Sequence, residues 1–185
     1  MKPREFDPRR LDIERFAAEG GPLEGDWPLA GMQRLCDACH VSPGADAADR
    51  VRWSAGGEQR RQAGQAAQAW LHLTLDAKVD LPCQRCLSAV RVGLAVDRWF
   101  RFVDGEERAA ALDAESEDDV LASSRTFDLH ELAEDELLLA LPLVPRHEVC
   151  PQPLAASIGA GDPHDDPGPA ESPFAALAAL KRMPH

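Results

Sequence analysis

A chain of 185 residues, 44% apolar and 28% charged with a formal net charge of −12, can build one domain with a real core but not two large ones. Its polar start, Met-Lys-Pro-Arg-Glu-Phe-Asp-Pro-Arg-Arg, shows no secretory signal, and its longest strongly apolar run, residues 137–144, contains Pro142, whereas a bilayer span needs ~20 apolar residues. These features predict a soluble, cytoplasmic protein with no membrane partner. The charge is unevenly divided. Residues 1–103 hold 15 Lys/Arg against 14 Asp/Glu, and residues 104–185 hold 5 against 18, a net of −13. A protein that coats RNA presents a basic face, so the acidic half suits contact with a basic protein better than with phosphate.

Residues 11–19, Leu-Asp-Ile-Glu-Arg-Phe-Ala-Ala-Glu, end at Gly20-Gly21 and predict a short helix. Residues 29–41 and 51–54 are weaker strand candidates, separated by a Pro/Gly/Asp stretch that reads as turn. The first contains Cys36-Asp37-Ala38-Cys39-His40, the C-x-x-C-H spacing that attaches c-type haem through two thioethers and an iron-ligating histidine. In bacteria that attachment takes place outside the cytoplasm, so no haem is expected. Five cysteines in a reducing compartment argue equally against disulfides. Cys36 and Cys39 are therefore expected to be reduced thiols on or near a strand, and His40 to hold no iron. Residues 56–68, rich in Gly, Gln and Arg, read as loop or hairpin turn.

The clearest periodicity follows. Between residues 69 and 81, Ala69, Leu71, Leu73, Leu75, Ala77, Val79 and Leu81 alternate with Trp70, His72, Thr74, Asp76, Lys78 and Asp80, which is the pattern of a half-buried antiparallel strand. After Pro82-Cys83-Gln84-Arg85-Cys86 the alternation resumes as Val90, Val92, Leu94 and Val96, then Phe100 and Phe102. Two long strands around a C-x-x-C connection predict a β-hairpin with a cysteine knuckle near its tip.

Residues 104–119 form an acidic excursion that reads as a solvated, mobile loop. Residues 128–141 predict the main packing helix: Asp128 can cap it, Glu131 can return the hydrogen bond, and Leu129, Leu132, Ala133, Leu137, Ala140 and Leu141 share one face before Pro142 stops it. Residues 151–171 hold five Pro and three Gly and read as a linker. Beyond it, residues 172–185 start with Ser172 as N-cap and Pro173 at N1, and place Phe174, Leu177 and Leu180 one turn apart. A helix this short is marginal alone, so these three residues are expected to dock it onto the body or into a partner's groove.

Cys83 and Cys86 sit where a zinc ribbon places half its ligands, because chain reversal aims both sulfurs at one point. Tetrahedral zinc needs four ligands. The missing pair is either His147 with Cys150, spaced H-x-x-C after the helix, or Cys36 with Cys39, the latter leaving 43 residues between the pairs, longer than usual. The alternative is two small buried thiols bracing a turn, with no metal. There is no G-x-S-x-G, no phosphate loop and no H-E-x-x-H, and Gly159-Ala160-Gly161 lacks both the preceding strand and the third glycine of a dinucleotide loop. No feature of the pattern calls for an enzyme.

Three blocks together carry a resemblance: Leu81-Pro82-Cys83-Gln84-Arg85-Cys86-Leu87 after the long strand; Asp128-Leu129 with Glu134-Asp135-Glu136 running into Leu141-Pro142-Leu143-Val144-Pro145-Arg146-His147; and Ser172-Pro173-Phe174-Ala175-Ala176-Leu177 through Lys181. In order and spacing they resemble the YceD family, the large ribosomal RNA subunit accumulation proteins, over roughly residues 65–182. Cys36-Asp37-Ala38-Cys39-His40 is no part of that pattern. The resemblance implies a non-enzymatic ribosome biogenesis factor that supports synthesis, processing or stability of large-subunit rRNA, with that rRNA or basic ribosomal proteins as partners. The runner-up is a zinc-ribbon-like binding module in another nucleic-acid pathway. The expected fold is one α+β domain over residues 1–150, an antiparallel sheet that could close toward a barrel, with a linker and a tethered C-terminal helix beyond it.

Overall fold

The structure is a computed structural model and describes residues 6–39, 49–61 and 67–151. Its fold is α+β: one open sheet of five strands in the order β1-β2-β3-β4-β5, with helices on both faces. The strands are β1 (Pro22–Pro28), β2 (Arg50–Arg60), β3 (Gln68–Pro82), β4 (Ala89–Val103) and β5 (Asp119–Ala122). The first four pair antiparallel, and β5 lies parallel to β4. The edges β1 and β5 do not meet, so the sheet does not close into a barrel.

The alternation at residues 69–81 becomes β3, whose odd residues are buried from Ala69 to Leu81. Register then dictates the neighbours' phase. Leu75 lies opposite both Trp53 and Val96, and Leu71 opposite Phe100, so the odd side of β2 and the even side of β4 face the same core. Onto this face pack α1 (Ile13–Glu19), α2 (Gln33–Ala38) and α4 (Leu129–Leu139), which contribute Ile13, Phe16, Leu35, Leu129, Ala133 and Leu137. Each Leu so buried contributes about 1.5–3 kcal/mol. Asp12 accepts from Arg15 N–H at the start of α1, and Gly20, at φ 59°, closes its end on the Phe16 carbonyl. Asp128 accepts from the N–H groups of His130 and Glu131 at the start of α4. A two-way backbone bridge between Leu11 and Phe127 ties these two helix starts together.

Three expectations are corrected. Of the strand expected over residues 29–41, the described part, residues 29–39, is not a strand: Leu29–Gly31 is a 3-10 turn and Gln33–Ala38 is helix α2. Met32 and Leu35, three apart, are both fully buried, a helical spacing that the mixed composition of the stretch conceals. Met32 cannot cap α2 with its side chain. The cap comes from α4 instead, where Glu134 Oε1 accepts from Leu35 N–H at 3.1 Å while Arg34 pairs with Glu134 Oε2 at 3.1 Å. Glu134→Ala would orphan that buried N–H and leave Arg34 half-paired, so a loss of about 1–3 kcal/mol is expected in urea unfolding, with Glu134→Gln recovering part of it.

The stretch at residues 56–68 is only in part a connection: residues 56–60 continue β2 and Gln68 opens β3, while residues 62–66 lie outside the described residues. The 104–119 excursion is no loop either. It holds α3 (Glu106–Asp113) and leads into β5, because a parallel neighbour can be reached only by a crossover of about a dozen residues. Ala109 of α3 meets Val103 and Val120 in a small separate cluster. Val103 has the opposite parity from Phe100 and Phe102, so α3 covers the face away from the main core.

Behind β1, Trp27 stacks on Trp53 at 4.4 Å and meets His130 edge-on at 4.9 Å. His130 is buried and its Nε2 has no hydrogen-bond partner. Burial, helped by Arg9, holds its pKa below the usual 6.5. The unfolded chain therefore binds a proton there before the folded one does, so this residue's share of stability is intact above pH ~6.5 and declines as pH falls below it. His130→Phe should flatten that part of the stability-versus-pH curve between about pH 7 and 5, as read by urea midpoints.

Candidate metal centre

The hairpin tip is built to reverse the chain tightly. Cys83 N–H donates to the Ser88 carbonyl at 2.9 Å and Leu87 N–H to the Cys83 carbonyl at 2.8 Å. After α4 the chain turns back across this knuckle, where Gln84 N–H donates to the Pro145 carbonyl at 2.8 Å. The return brings His147 and Cys150 to Cys83 and Cys86, and the four ligand atoms all lie within 4.8 Å of one another.

The spacing fits a tetrahedral ion. With Zn–S near 2.3 Å and Zn–N near 2.05 Å, tetrahedral angles put two sulfurs ~3.8 Å apart and a sulfur and nitrogen ~3.6 Å apart. Cys83 Sγ and Cys150 Sγ are 3.9 Å apart, and Cys86 Sγ and His147 Nδ1 3.5 Å. His147 Nε2 lies 3.0 Å from the Ala89 carbonyl, so the ring places its proton there and leaves Nδ1 bare for a metal. Arg85 donates from Nε to Cys150 Sγ at 2.9 Å and from Nη2 to the His147 and Glu148 carbonyls at 3.3 and 3.4 Å. It thus orients the 147–150 segment and offsets thiolate charge. Three cysteines and one histidine form a closed set for structural zinc, with no fourth position left to a water or substrate.

The electrostatics agree. Burial opposes ionisation of Cys83, but N–H groups of Cys86 and Arg85, together with His147, outweigh it and pull its thiol down to about 5. The Ser88 backbone lowers Cys86, and the side chain of Cys83 raises His147. Burial raises Cys150 despite Arg85. Two of the three sulfurs therefore lean toward the thiolate form that a metal takes.

The other expected pair goes elsewhere. Cys36 and Cys39 lie in and just after α2, outside the knuckle set and not on a strand. Cys36 Sγ donates to the Leu29 carbonyl at 3.3 Å, and burial pushes Cys39 up to about 11; the four-residue cluster does not include either thiol. His40, and the tail residues Phe174, Leu177 and Leu180 with most of the 151–171 linker, lie outside the described residues. Sequence reasoning missed Arg85 and the Ala89 carbonyl. Nothing in the composition marks an arginine between two cysteines as a positioning residue.

A profile of the family described as "Large ribosomal RNA subunit accumulation protein YceD" matches residues 71–181, more than half of the chain. The chain belongs to the YceD family. The matched span begins in β3 and takes in the hairpin, α3, α4 and all four candidate metal ligands, whereas β1, β2, α1 and α2 precede it. No solved structure matches this YceD-family chain. Among its described residues no helix is long and apolar enough to cross a membrane.

Proposed function

We propose that this YceD-family protein is a non-enzymatic, cytoplasmic ribosome biogenesis factor that supports accumulation of large-subunit rRNA, with a structural zinc held by Cys83, Cys86, His147 and Cys150. The family match over residues 71–181 carries the reading, and the closed donor set supports a structural rather than catalytic role for the metal. Zinc bound there would pin the 147–150 segment to the hairpin tip and so complete the fold around the end of α4. The chain's own residues set the geometry: the Ala89 carbonyl fixes the tautomer of His147, and Arg85 holds the carbonyls of His147 and Glu148.

The net charge of −13 over residues 104–185 favours basic ribosomal proteins over bare phosphate as the direct contact, and Phe174, Leu177 and Leu180 are the proposed anchors of a second contact in the tail. Deleting the gene in its native host should lower the ratio of large- to small-subunit rRNA, measured on total RNA. The intact gene should restore the ratio, Cys83→Ser should restore little of it, and a chain ending at residue 171 should fall short if the tail anchors a partner. An unchanged rRNA ratio in the deletion strain would defeat the proposal.

A further inference from the structure

We propose that the outer face of the sheet binds unpaired RNA bases on a platform formed by Arg60, Trp70, His72, Trp99 and Arg101. The register brings these residues together. On β3 the even residues point away from the core, and Trp70 lies opposite Arg101 and His72 opposite Trp99 on β4. Arg60, even-numbered on β2 and opposite Gln68, shares that face. Helices α1, α2 and α4 pack on the other side of the sheet, and α3 covers this one around Val103 and Val120.

The side chains form one stacked row. The His72 ring lies 4.4 Å from the Trp99 ring at an interplanar angle of 10°. The Arg60 guanidinium lies 4.0 Å from the centre of the Trp99 ring and 4.3 Å from that of Trp70. Strands β3 and β4 already supply the core from their other face, so the core does not call for two tryptophans on this side. Trp99 keeps 37% of its surface exposed, and Trp70 is half-buried with an indole N–H that finds no acceptor among the described residues. Indole, imidazole and guanidinium planes on an open sheet are the surfaces on which unpaired bases stack, because every base has a π-face to offer them.

The charges around the row point to the same ligand. The carboxylates that touch it are engaged within it, Glu58 with Arg60 and Asp97 with His72. Arg101 makes no ion pair among the described residues, and its Nε is shielded from water without an acceptor. A phosphate beside a stacked base supplies the missing partner. The chain's net −12 opposes a long polyanion, so the contact is short and carried by bases more than by backbone. Residues 1–103, which carry the platform, have none of the acid excess of residues 104–185, and this contact adds to the protein contact proposed for the acidic half. It rests on the rRNA reading for the identity of the natural strand alone.

The test titrates the purified full-length protein with a fluorescein-labelled RNA single strand of about twelve nucleotides. Anisotropy should rise and tryptophan emission fall, and the same strand in a duplex should bind at least tenfold more weakly. Trp99→Leu keeps apolar area but removes the π-face; it should bind the single strand at least tenfold more weakly while melting with the parent. Trp99→Phe should recover most of the affinity. Arg101→Gln should weaken binding and lower its salt dependence by about one phosphate. A tryptophan that only braced the sheet would give the reverse, with the melting temperature moved and the affinity unchanged. No binding at about 100 μM strand, equal affinity for the duplex, or unchanged affinity in Trp99→Leu or Arg101→Gln would each overturn the proposal, and the first is what a protein occupant of this face would give. Strands of arbitrary sequence suffice, so failure here leaves the rRNA reading standing, and an unchanged rRNA ratio in the deletion strain leaves this platform standing.

Discussion

Replacing Cys83 by serine is expected to release the metal and lower the melting temperature by about 10 °C. Cys83 has no exposed surface, and its sulfur sits 3.9 Å from Cys150 at the centre of the set. Structural zinc contributes folding free energy directly, ~10–16 kcal/mol in isolated finger peptides. The loss here should be smaller, on the order of 3 kcal/mol, because the sheet, α1 and α4 pack a core that does not need the metal, and at 2–4 °C per kcal/mol for a domain of this size that gives ~10 °C. Elemental analysis and calorimetry on protein purified without chelator check both halves. Parent protein with less than about a tenth of an equivalent of zinc, or a variant that melts with the parent, would return Cys83 and Cys86 to the role of buried thiols bracing a turn.

Gly57→Ala should cost nearly as much, at a site far in sequence from the knuckle and with metal content unchanged. A Cβ at Gly57 would stand 2.8 Å from both the carbonyl oxygen and the ring Cδ1 of Phe16, and 2.9 Å from the Phe16 carbonyl carbon. The ring can turn aside, but the carbonyl is backbone of α1, so the helix itself must lift from β2. Phe16 is fully buried and its ring anchors Phe6 edge-on at 5.3 Å. Lifting it opens the core beneath α1, which predicts a loss of about 2–3 kcal/mol and ~5–10 °C. A urea midpoint within experimental error of the parent would show that α1 is not held against β2 as tightly as this contact implies.

Periodicity made the hairpin legible, because each long strand buries one face only and a two-residue repeat survives any tertiary context. Helix α4 was legible for the corresponding reason: it has its own cap in Asp128, one apolar stripe and a proline stop. The candidate metal set was half legible. Cys83 and Cys86 are local, so spacing alone predicts that their sulfurs converge. Whether His147 and Cys150 or Cys36 and Cys39 complete the set depends on where the chain travels after α4, and only the return across the knuckle, with Pro145 bonded to Gln84 and His147 to Ala89, decides it.

Elements that depend on partners distant in sequence were misread. Helix α2 has a weak N-terminus of its own and exists with Glu134, 99 residues on, as its cap; no local pattern can announce such an acceptor. The acidic stretch after β4 looked solvated because its few apolar residues are spread thinly, yet Ala109 needs only Val103 and Val120 to be covered, and the parallel pairing of β5 with β4 makes a crossover obligatory. What the sequence by itself determined was each element with its own repeat and its own caps, together with the two local cysteines. The tertiary structure decided the rest — the open sheet, the face that each helix covers and which residues join Cys83 and Cys86 in the candidate metal cluster — because those features are held by contacts whose two halves lie tens of residues apart and carry no signal until they meet.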